Sequence, residues 1–509
     1  MRLPSHAAAI AVLKMMALGG VTFWTLGLGG CPRSADDGGL NPTQPPQNSD
    51  RAISLSHGQA PPQALSLPPE PAPSAAPLAH FFGKLHALRK DPSAAQNVSI
   101  LHVGDSHIAS DTLTGQTRRL FHSNWKDGGR GYTFPGKPWR NYRQEDTSYD
   151  MGGAWVSHQG RLRDAQGAFG FGGIRLTSSE AGDWITREDT RPISRLRVFT
   201  LGDSVAGSFN VYAGAGTDPV GTYATAYTPA PDDPDAPAQM IQTHDIAFTP
   251  AVKSFKIEAL DASPVSVLGV HTLGEQPGVV YHSVGLNGAR ARTMLNFDEA
   301  LSVQEIAGLD PDLFVFAFGT NEAYNLRKTD LEPRHRAEVV AALTGLIQRY
   351  KKAAAGASCV VVLPMEFAVK PTAKTCYKRK RVRRRRRWRW KKTLIDPIDL
   401  EKHPECAWTT PPSLAMVREA TAQVAASQQC ATWDLYEAMG GQGSMRAWAA
   451  LEKPLSGSDG VHLRLGGYRY LGQQFYVDLM AAYERWSAGE DAALQTTPWP
   501  EEEETPATK

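Results

Sequence analysis

Three runs in this chain, VSILHV (98–103), LFVFAF (313–318) and CVVVLP (359–364), are apolar almost without interruption. A strand with one wet face alternates apolar and polar residues. An unbroken apolar run is buried on both faces, which is the signature of a mostly parallel sheet covered by helices on each side. The intervening segments supply those helices: HFFGKLHALRK (80–90), TGQTRRLFHSNW (114–125), 334–355, 413–428 and 467–486. In 334–355, Val340, Leu343, Ile347 and Tyr350 fall on one helical stripe, and Tyr468, Leu471, Phe475 and Leu479 repeat the pattern in 467–486. TWDLYEAM (432–439) reads as one more strand. The expected fold is a three-layer α/β/α sandwich around a mostly parallel sheet.

Residues 140–275 break that rhythm. They hold no long helical period, only short strand-like runs such as ISRLRVFTL, GSFNVYAG and VKSFKIEAL with Gly, Pro and Asp between them. Short strands at this spacing predict an all-β sandwich or jelly roll, inserted after the first βα unit. The α/β domain is therefore expected in two parts, 77–139 and 276–486. Residues 32–76 and 487–509 are expected to be disordered: a tether rich in Pro, Ser, Gln and Ala, and an acidic tail.

In open α/β sheets ligands bind beyond the carboxyl ends of the strands, and small polar motifs gather at those ends here. Gly104-Asp105-Ser106-His107 follows VSILHV, and Gly319-Thr320-Asn321-Glu322 follows LFVFAF. Gly285, Asn287 and Gly288 follow the strand-like GVVYHSV, while Asp459 and His462 precede the last helix. Each motif alone has a bland reading as a turn or a helix cap. The four together, in the chain order 104–107, 285–288, 319–322 and 459–462, resemble the blocks of the SGNH (GDSL-like) hydrolase family. That resemblance covers roughly 98–126 and 278–486, and it implies a nucleophile at Ser106, a general base at His462 and an orienting carboxylate at Asp459. It further implies an oxyanion hole from the backbone N–H groups of Ser106 and Gly288 and the side-chain amide of Asn321, with Gly285 as the rival to Gly288. Asp105, His107, Gly319 and Glu322 are expected around these groups, His107 in a packing or substrate-contact role. The family commonly carries Asp where this chain has Glu322. A second Gly-Asp-Ser, at 202–204, is followed by another strand-like run, so Ser204 reads as a hairpin-turn residue.

The combination of GDSHIASD, GRGYTFPG, a β insert before GLNGA, and GTNEA resembles the peptidoglycan O-acetylesterase branch. The resemblance implies hydrolysis of acetyl esters on a peptidoglycan-like glycan, with no cofactor and no metal. Trp155 and Trp184 in the insert are candidates for stacking on sugar rings or for ordinary core packing. The same residues would also serve an O-acyltransferase or a lipase or thioesterase, and a surface glycan-binding lipoprotein is the non-enzymatic alternative.

An N-terminal stretch, MMALGGVTFWTLGLGG (15–30), is shorter than the roughly 20 apolar residues a spanning helix needs. With Leu28-Gly29-Gly30-Cys31 it resembles a signal peptide ending in a bacterial lipobox, which implies cleavage before Cys31 and its lipidation. The chain is expected to be exported, anchored as a lipoprotein in the periplasm or at the cell surface. Export permits disulfides, and the remaining cysteines are expected to pair Cys376 with Cys406 and Cys359 with Cys430. The formal charge of +2 conceals a local excess: 378–392, KRKRVRRRRRWRWKK, holds twelve Lys and Arg, leaving −10 for the rest. Composition alone fits nucleic acid, with Trp388 and Trp390 to stack on bases. An exported protein meets other polyanions first, so no nucleic-acid partner is expected. The segment 374–405 is instead expected as a basic loop that meets an anionic membrane or cell-wall surface, or has no role at all.

Overall fold

The computed structural model describes residues 77–93, 96–230, 236–384, 387–395 and 398–496. The signal segment, Cys31 and the tether lie outside the described residues, as does the tail beyond Thr496. Six strands form the expected parallel sheet, in the order Ala431–Asp434, Ser358–Leu363, Leu313–Ala317, Val98–Gly104, Val279–Gly285, Asp127–Gly129. Alternation inside the apolar runs assigns the two faces. Leu313 and Val315 join Phe81, Phe121 and Phe475 on one side, whereas Phe314 and Phe316 join Leu343, Ile347 and Val424 on the other. Helices Ala79–Lys90, Thr112–Trp125 and Leu465–Thr496 cover the first face. Glu299–Ala307, Pro333–Ala353 and Pro412–Ser427 cover the second. Each fully buried aromatic contributes roughly 2–3 kcal/mol by leaving water.

Register then fixes where the motifs lie. Gly104 is level with Gly285 on one side and with Ala317 on the other. The three chain breaks after those residues therefore open at the same edge of the sheet.

The inserted segment is a nine-stranded antiparallel module hydrogen-bonded as one continuous sheet. Two long strands, Trp184–Gly202 and Met240–Ala259, pair along their length with register shifts between Ala247 and Ser254. One half of this pair continues into Thr147–Gly152 and Ser208–Ala213, the other into Val265–Leu273. The halves share one core, with Phe209, Phe255 and Ile257 from the first and Val198, Val267 and Val270 from the second. The result is a sandwich whose layers are joined by two long strands. Gly131–Thr133, upstream of residue 140, joins this sheet against Val265–Leu273. Trp155 packs against the module core, and the Trp184 ring lies against Gly152, so both rings are engaged in packing within the module.

Four expectations need correction. The last helix runs to Thr496 instead of ending at 486, because the residues after Trp486 are mostly helix formers and no proline intervenes before 498. TWDLYEAM is strand only as far as Asp434, whose carboxylate then caps the short helix Leu435–Ala438 by accepting the Glu437 N–H. Ser204 lies in a turn, but the strands flanking it both pair with Met240–Ala259 and not with each other, so that turn is not a hairpin. The basic segment is a two-stranded antiparallel hairpin, Tyr377–Arg384 with Arg387–Leu394, rather than a loop. Its base is closed by the Cys376–Cys406 disulfide, and Cys359 pairs with Cys430.

Candidate active site

At the central strand's carboxyl end, Asp105 turns the chain into the short helix Ser106–Ala109 by accepting the His107 N–H at 2.9 Å. Gly104 and Gly285 make this turn possible. A Cβ on Gly104 would sit 2.6 Å from the Ala317 carbonyl oxygen, and one on Gly285 would sit 2.1 Å from the Ala109 nitrogen. Ser106 therefore stands at the first position of a helix, where its own N–H lacks a carbonyl one turn earlier.

Across from it, residues 455–464 form a tight loop. The Gly457 N–H donates to the His462 carbonyl at 2.7 Å and the Arg464 N–H to the Leu455 carbonyl at 2.8 Å. Gly460 has a positive φ of 81° and packs against the Trp408 ring, while its carbonyl accepts the Ala368 N–H at 2.8 Å. The loop is thus held from outside by the segments that follow Ser358–Leu363. From it His462 Nε2 reaches Ser106 Oγ at 3.0 Å, and His462 Nδ1 lies 2.8 Å from Asp459 Oδ2. The other Asp459 oxygen, Oδ1, accepts the N–H groups of Val461 and His462 at 3.0 Å each. Partial burial alone would raise the Asp459 pKa, but these backbone and imidazole hydrogen bonds hold it below the usual carboxylate range. The side chains of His462 and Asp459 are 47% and 52% exposed, so the Ser–His–Asp line opens to solvent.

Gly288 follows the neighbouring strand with φ +77°, and a Cβ there would meet nothing within 4 Å. Its backbone conformation, not crowding, calls for glycine. Gly285 is required for the opposite reason, contact with the Ser106–Ala109 turn. Asn321 comes from the first turn of Thr320–Leu326. Its amide nitrogen donates to Asp105 Oδ2 at 3.1 Å and to the Ala289 carbonyl at 3.0 Å. Both hydrogens are committed, so donation to an oxyanion requires that one of these bonds be exchanged. Glu322 accepts the Ala291 N–H at 2.9 Å and the Gly319 N–H at 3.0 Å. It ties the second motif to the third.

Asp105 is buried, and that burial, reinforced by the nearby Glu322, pushes its pKa up to about 7 against the hydrogen bond from the His107 N–H. His107 is buried too. Burial, with the adjacent His462, pushes it down to about 3, and its Nδ1 lies 2.8 Å from the Tyr468 hydroxyl. Its ring packs 5.4 Å from that of His462. A neutral, packed imidazole backs the exposed one.

Several supporting residues escaped the sequence reading. Asp111 is fully buried and accepts from Arg118 at 3.1 and 3.0 Å, from Arg130 at 2.8 Å and from the Glu145 N–H at 2.8 Å. Burial opposes its ionisation, but the two guanidinium groups win and hold its pKa far below the ordinary value. The stretches GDSHIASD and GRGYTFPG meet in this ion cluster through Asp111 and Arg130. Their charged residues at 111 and 130 were the available signal. Trp408 and Tyr468 carried none.

No protein-family model matches the sequence, and no curated protein matches it. Among solved structures, a peptidoglycan O-acetylesterase superposes with a TM-score of 0.62 at 20% identity, over 82% of this chain and 99% of that one. An acetyl xylan esterase aligns at 13% identity over 40% of this chain and 81% of its own, with a TM-score of 0.25. A family two carbohydrate esterase from Clostridium thermocellum in complex with cellohexaose aligns at 9% identity over 61% and 95%, with a TM-score of 0.26. The first of these shares the fold of this chain.

Proposed function

We propose that this chain is an exported serine ester hydrolase that removes O-acetyl groups from peptidoglycan or a related extracytoplasmic glycan. The observation that carries the proposal is the hydrogen-bonded line from Ser106 Oγ through His462 to Asp459 at the carboxyl edge of the sheet. A serine hydroxyl is a weak nucleophile until a positioned base takes its proton. His462 Nε2 is within reach to do so as Oγ attacks the acetyl carbonyl, and Asp459 stabilises the imidazolium that forms. Charge developing on the carbonyl oxygen falls to the N–H groups of Ser106 and Gly288, with the Asn321 amide once released from one partner. Collapse of the tetrahedral intermediate breaks the bond to the sugar oxygen, which takes the proton from His462. Water then enters by the reverse sequence, and acetate leaves.

The fold shared with a solved peptidoglycan O-acetylesterase supports the substrate class. So does the open triad, because a polymer chain can pass along an exposed edge. The two disulfides suit an oxidising compartment, and lipidation at Cys31 would keep the enzyme at the envelope. The test is acetate release from O-acetylated peptidoglycan and from p-nitrophenyl acetate by wild type and Ser106→Ala. Loss of about a thousandfold or more in the variant on both substrates is expected. Release that survives in the variant would remove the serine mechanism. Activity on the small ester alone would remove the glycan.

A further inference from the structure

The hairpin Tyr377–Arg384/Arg387–Leu394 has no part in the chemistry above, yet it grows from the catalytic edge. Both of its roots touch the segments that hold the His462 loop. Upstream, the Ala368 N–H bonds the Gly460 carbonyl; downstream, Trp408 packs on Gly460. The Cys376–Cys406 disulfide, the Ile395 N–H to Cys376 carbonyl bond at 3.0 Å and the Tyr377 hydroxyl on the Pro371 carbonyl at 2.6 Å fix the base.

The register sorts its side chains, since directly opposed residues share a face. Arg379 with Lys392, Arg381 with Trp390, and Trp388 lie on one face; Lys378, Lys380 with Lys391, and Val382 with Arg389 lie on the other. Trp388 and Trp390 are 56% and 66% exposed, and the Arg381 guanidinium sits 5.2 Å from the Trp388 ring centroid. Two like-charged pairs, Arg379–Lys392 and Lys380–Lys391, stand directly opposite each other, which opposes strand pairing in water. An anionic partner would relieve both.

The chemistry of that partner follows from the donor inventory. Residues 378–392 contain no Asp, Glu, Asn, Gln, Ser, Thr or Tyr. Lys, Arg and the Trp indole donate hydrogen bonds and accept none. Sugar hydroxyls both donate and accept, so a donor-only surface suits them poorly. Phosphate oxygens only accept. Exposed tryptophans beside lysines and arginines match the headgroup zone of a bilayer, where amphipathic rings settle and each nearby cation adds attraction. We propose that this hairpin is a docking foot for an anionic phospholipid surface. Docking there would hold the His462 loop close to the membrane plane. The inference is independent of which ester the site cleaves.

The test is co-sedimentation of the chain from residue 31 onward carrying Cys31→Ser, so that neither the apolar segment 15–30 nor an acyl anchor can account for binding. Vesicles of phosphatidylcholine alone are compared with vesicles of phosphatidylcholine and phosphatidylglycerol. Two variants are measured alongside: Trp388→Ala with Trp390→Ala, and Lys378→Glu with Lys380→Glu and Lys391→Glu. Unchanged thermal melting shows that both remain folded. Expected is binding to the anionic vesicles at about 0.05 M salt, lost near 0.5 M, and weakened roughly tenfold or more by each variant. Equal binding to both vesicle types, or binding unaltered in the variants, overturns the proposal. Tighter binding to purified sacculi or to single-stranded DNA than to anionic vesicles at the same salt overturns the lipid assignment.

Discussion

Replacing Asp459 by asparagine separates two tasks that the carboxylate performs at once. Oδ1 holds the loop by accepting two backbone N–H groups at 3.0 Å, while Oδ2 faces His462 Nδ1 at 2.8 Å. An asparagine keeps its carbonyl oxygen on the two N–H groups, because an amide nitrogen there would leave both donors opposed. Its NH2 then points at Nδ1 and donates. The imidazole is driven into the tautomer with its proton on Nε2, 3.0 Å from Ser106 Oγ, where it cannot accept the serine proton. Flipping the amide to recover the productive tautomer forfeits two hydrogen bonds at about 1–3 kcal/mol each. That is a cost of about 2–6 kcal/mol, or roughly 30-fold to 10⁴-fold in kcat. Solvent reaches this half-exposed pair and favours the lower half of that range. Asp459→Ala gives the informative contrast. It abandons the loop bonds but leaves Nδ1 to water, so either tautomer remains available. The expected order is therefore wild type, then Ala, then Asn in kcat for p-nitrophenyl acetate, and wild type, then Asn, then Ala in melting temperature. An Asn variant within tenfold of wild type, or one faster than Ala, would falsify this tautomer argument.

Three further outcomes follow from the same geometry. Asp111→Asn leaves Arg118 and Arg130 buried without their shared anion, and urea unfolding is expected to show a loss of about 3–5 kcal/mol; a loss under 1 kcal/mol would mean the cluster is not what holds this corner. Gly285→Ala forces a Cβ into the backbone of Ala109 and is expected to cost stability and activity together, whereas Gly288→Ala meets open space and should show only the strain of its positive φ, about 1–2 kcal/mol. Equal effects of the two would refute that distinction. Asp105, raised to about 7 in the folded state, binds its proton more tightly there than in the unfolded chain, so its contribution to stability is present in full below the unfolded carboxylate range and is lost as pH rises through about 7. Relative to wild type, Asp105→Asn should become progressively more favourable for folding between pH 5 and 8, and melting curves that move in parallel over that range would refute the assignment.

The parts of this molecule that could be read from sequence are those written in a local period or a short motif. Runs without regular polar alternation gave the parallel sheet because burial on both faces leaves no period to mark an outside, even where the buried Ser99 and His102 enter one of them, and the motif residues then had only the strand ends to occupy. Ser106, Gly288 and Asn321 converge because Gly104, Gly285 and Ala317 share one register level, while His462 and Asp459 are held opposite by the segments after Ser358–Leu363; both are pairings between distant segments that no single window contains. The supporting cast was opaque for the same reason. Tyr468 sits on an apolar helical stripe and is indistinguishable there from core, although its hydroxyl meets His107. Trp408 lies in an irregular segment beside a single bridge from Thr409 to Val369, with nothing periodic around it, yet it backs Gly460.

The basic hairpin shows the converse error. Its composition, with like charges in succession, argues for an extended and solvated loop, and local charge repulsion does oppose pairing. What composition omits is the covalent closure at Cys376 and Cys406, which brings the two arms together at their base. Once the ends are held, a Tyr, a Val, two Trp and a Thr at strand positions are enough to favour an antiparallel ladder over a disordered loop. Removing that bridge alone should therefore weaken the hairpin before it disturbs the sheet, which keeps its own Cys359–Cys430 disulfide. Hydrogen exchange of residues 378–392 in Cys376→Ser with Cys406→Ser, set against the strand 98–104, would separate the two: protection lost equally in both would show that this disulfide is not what organises the charged arms.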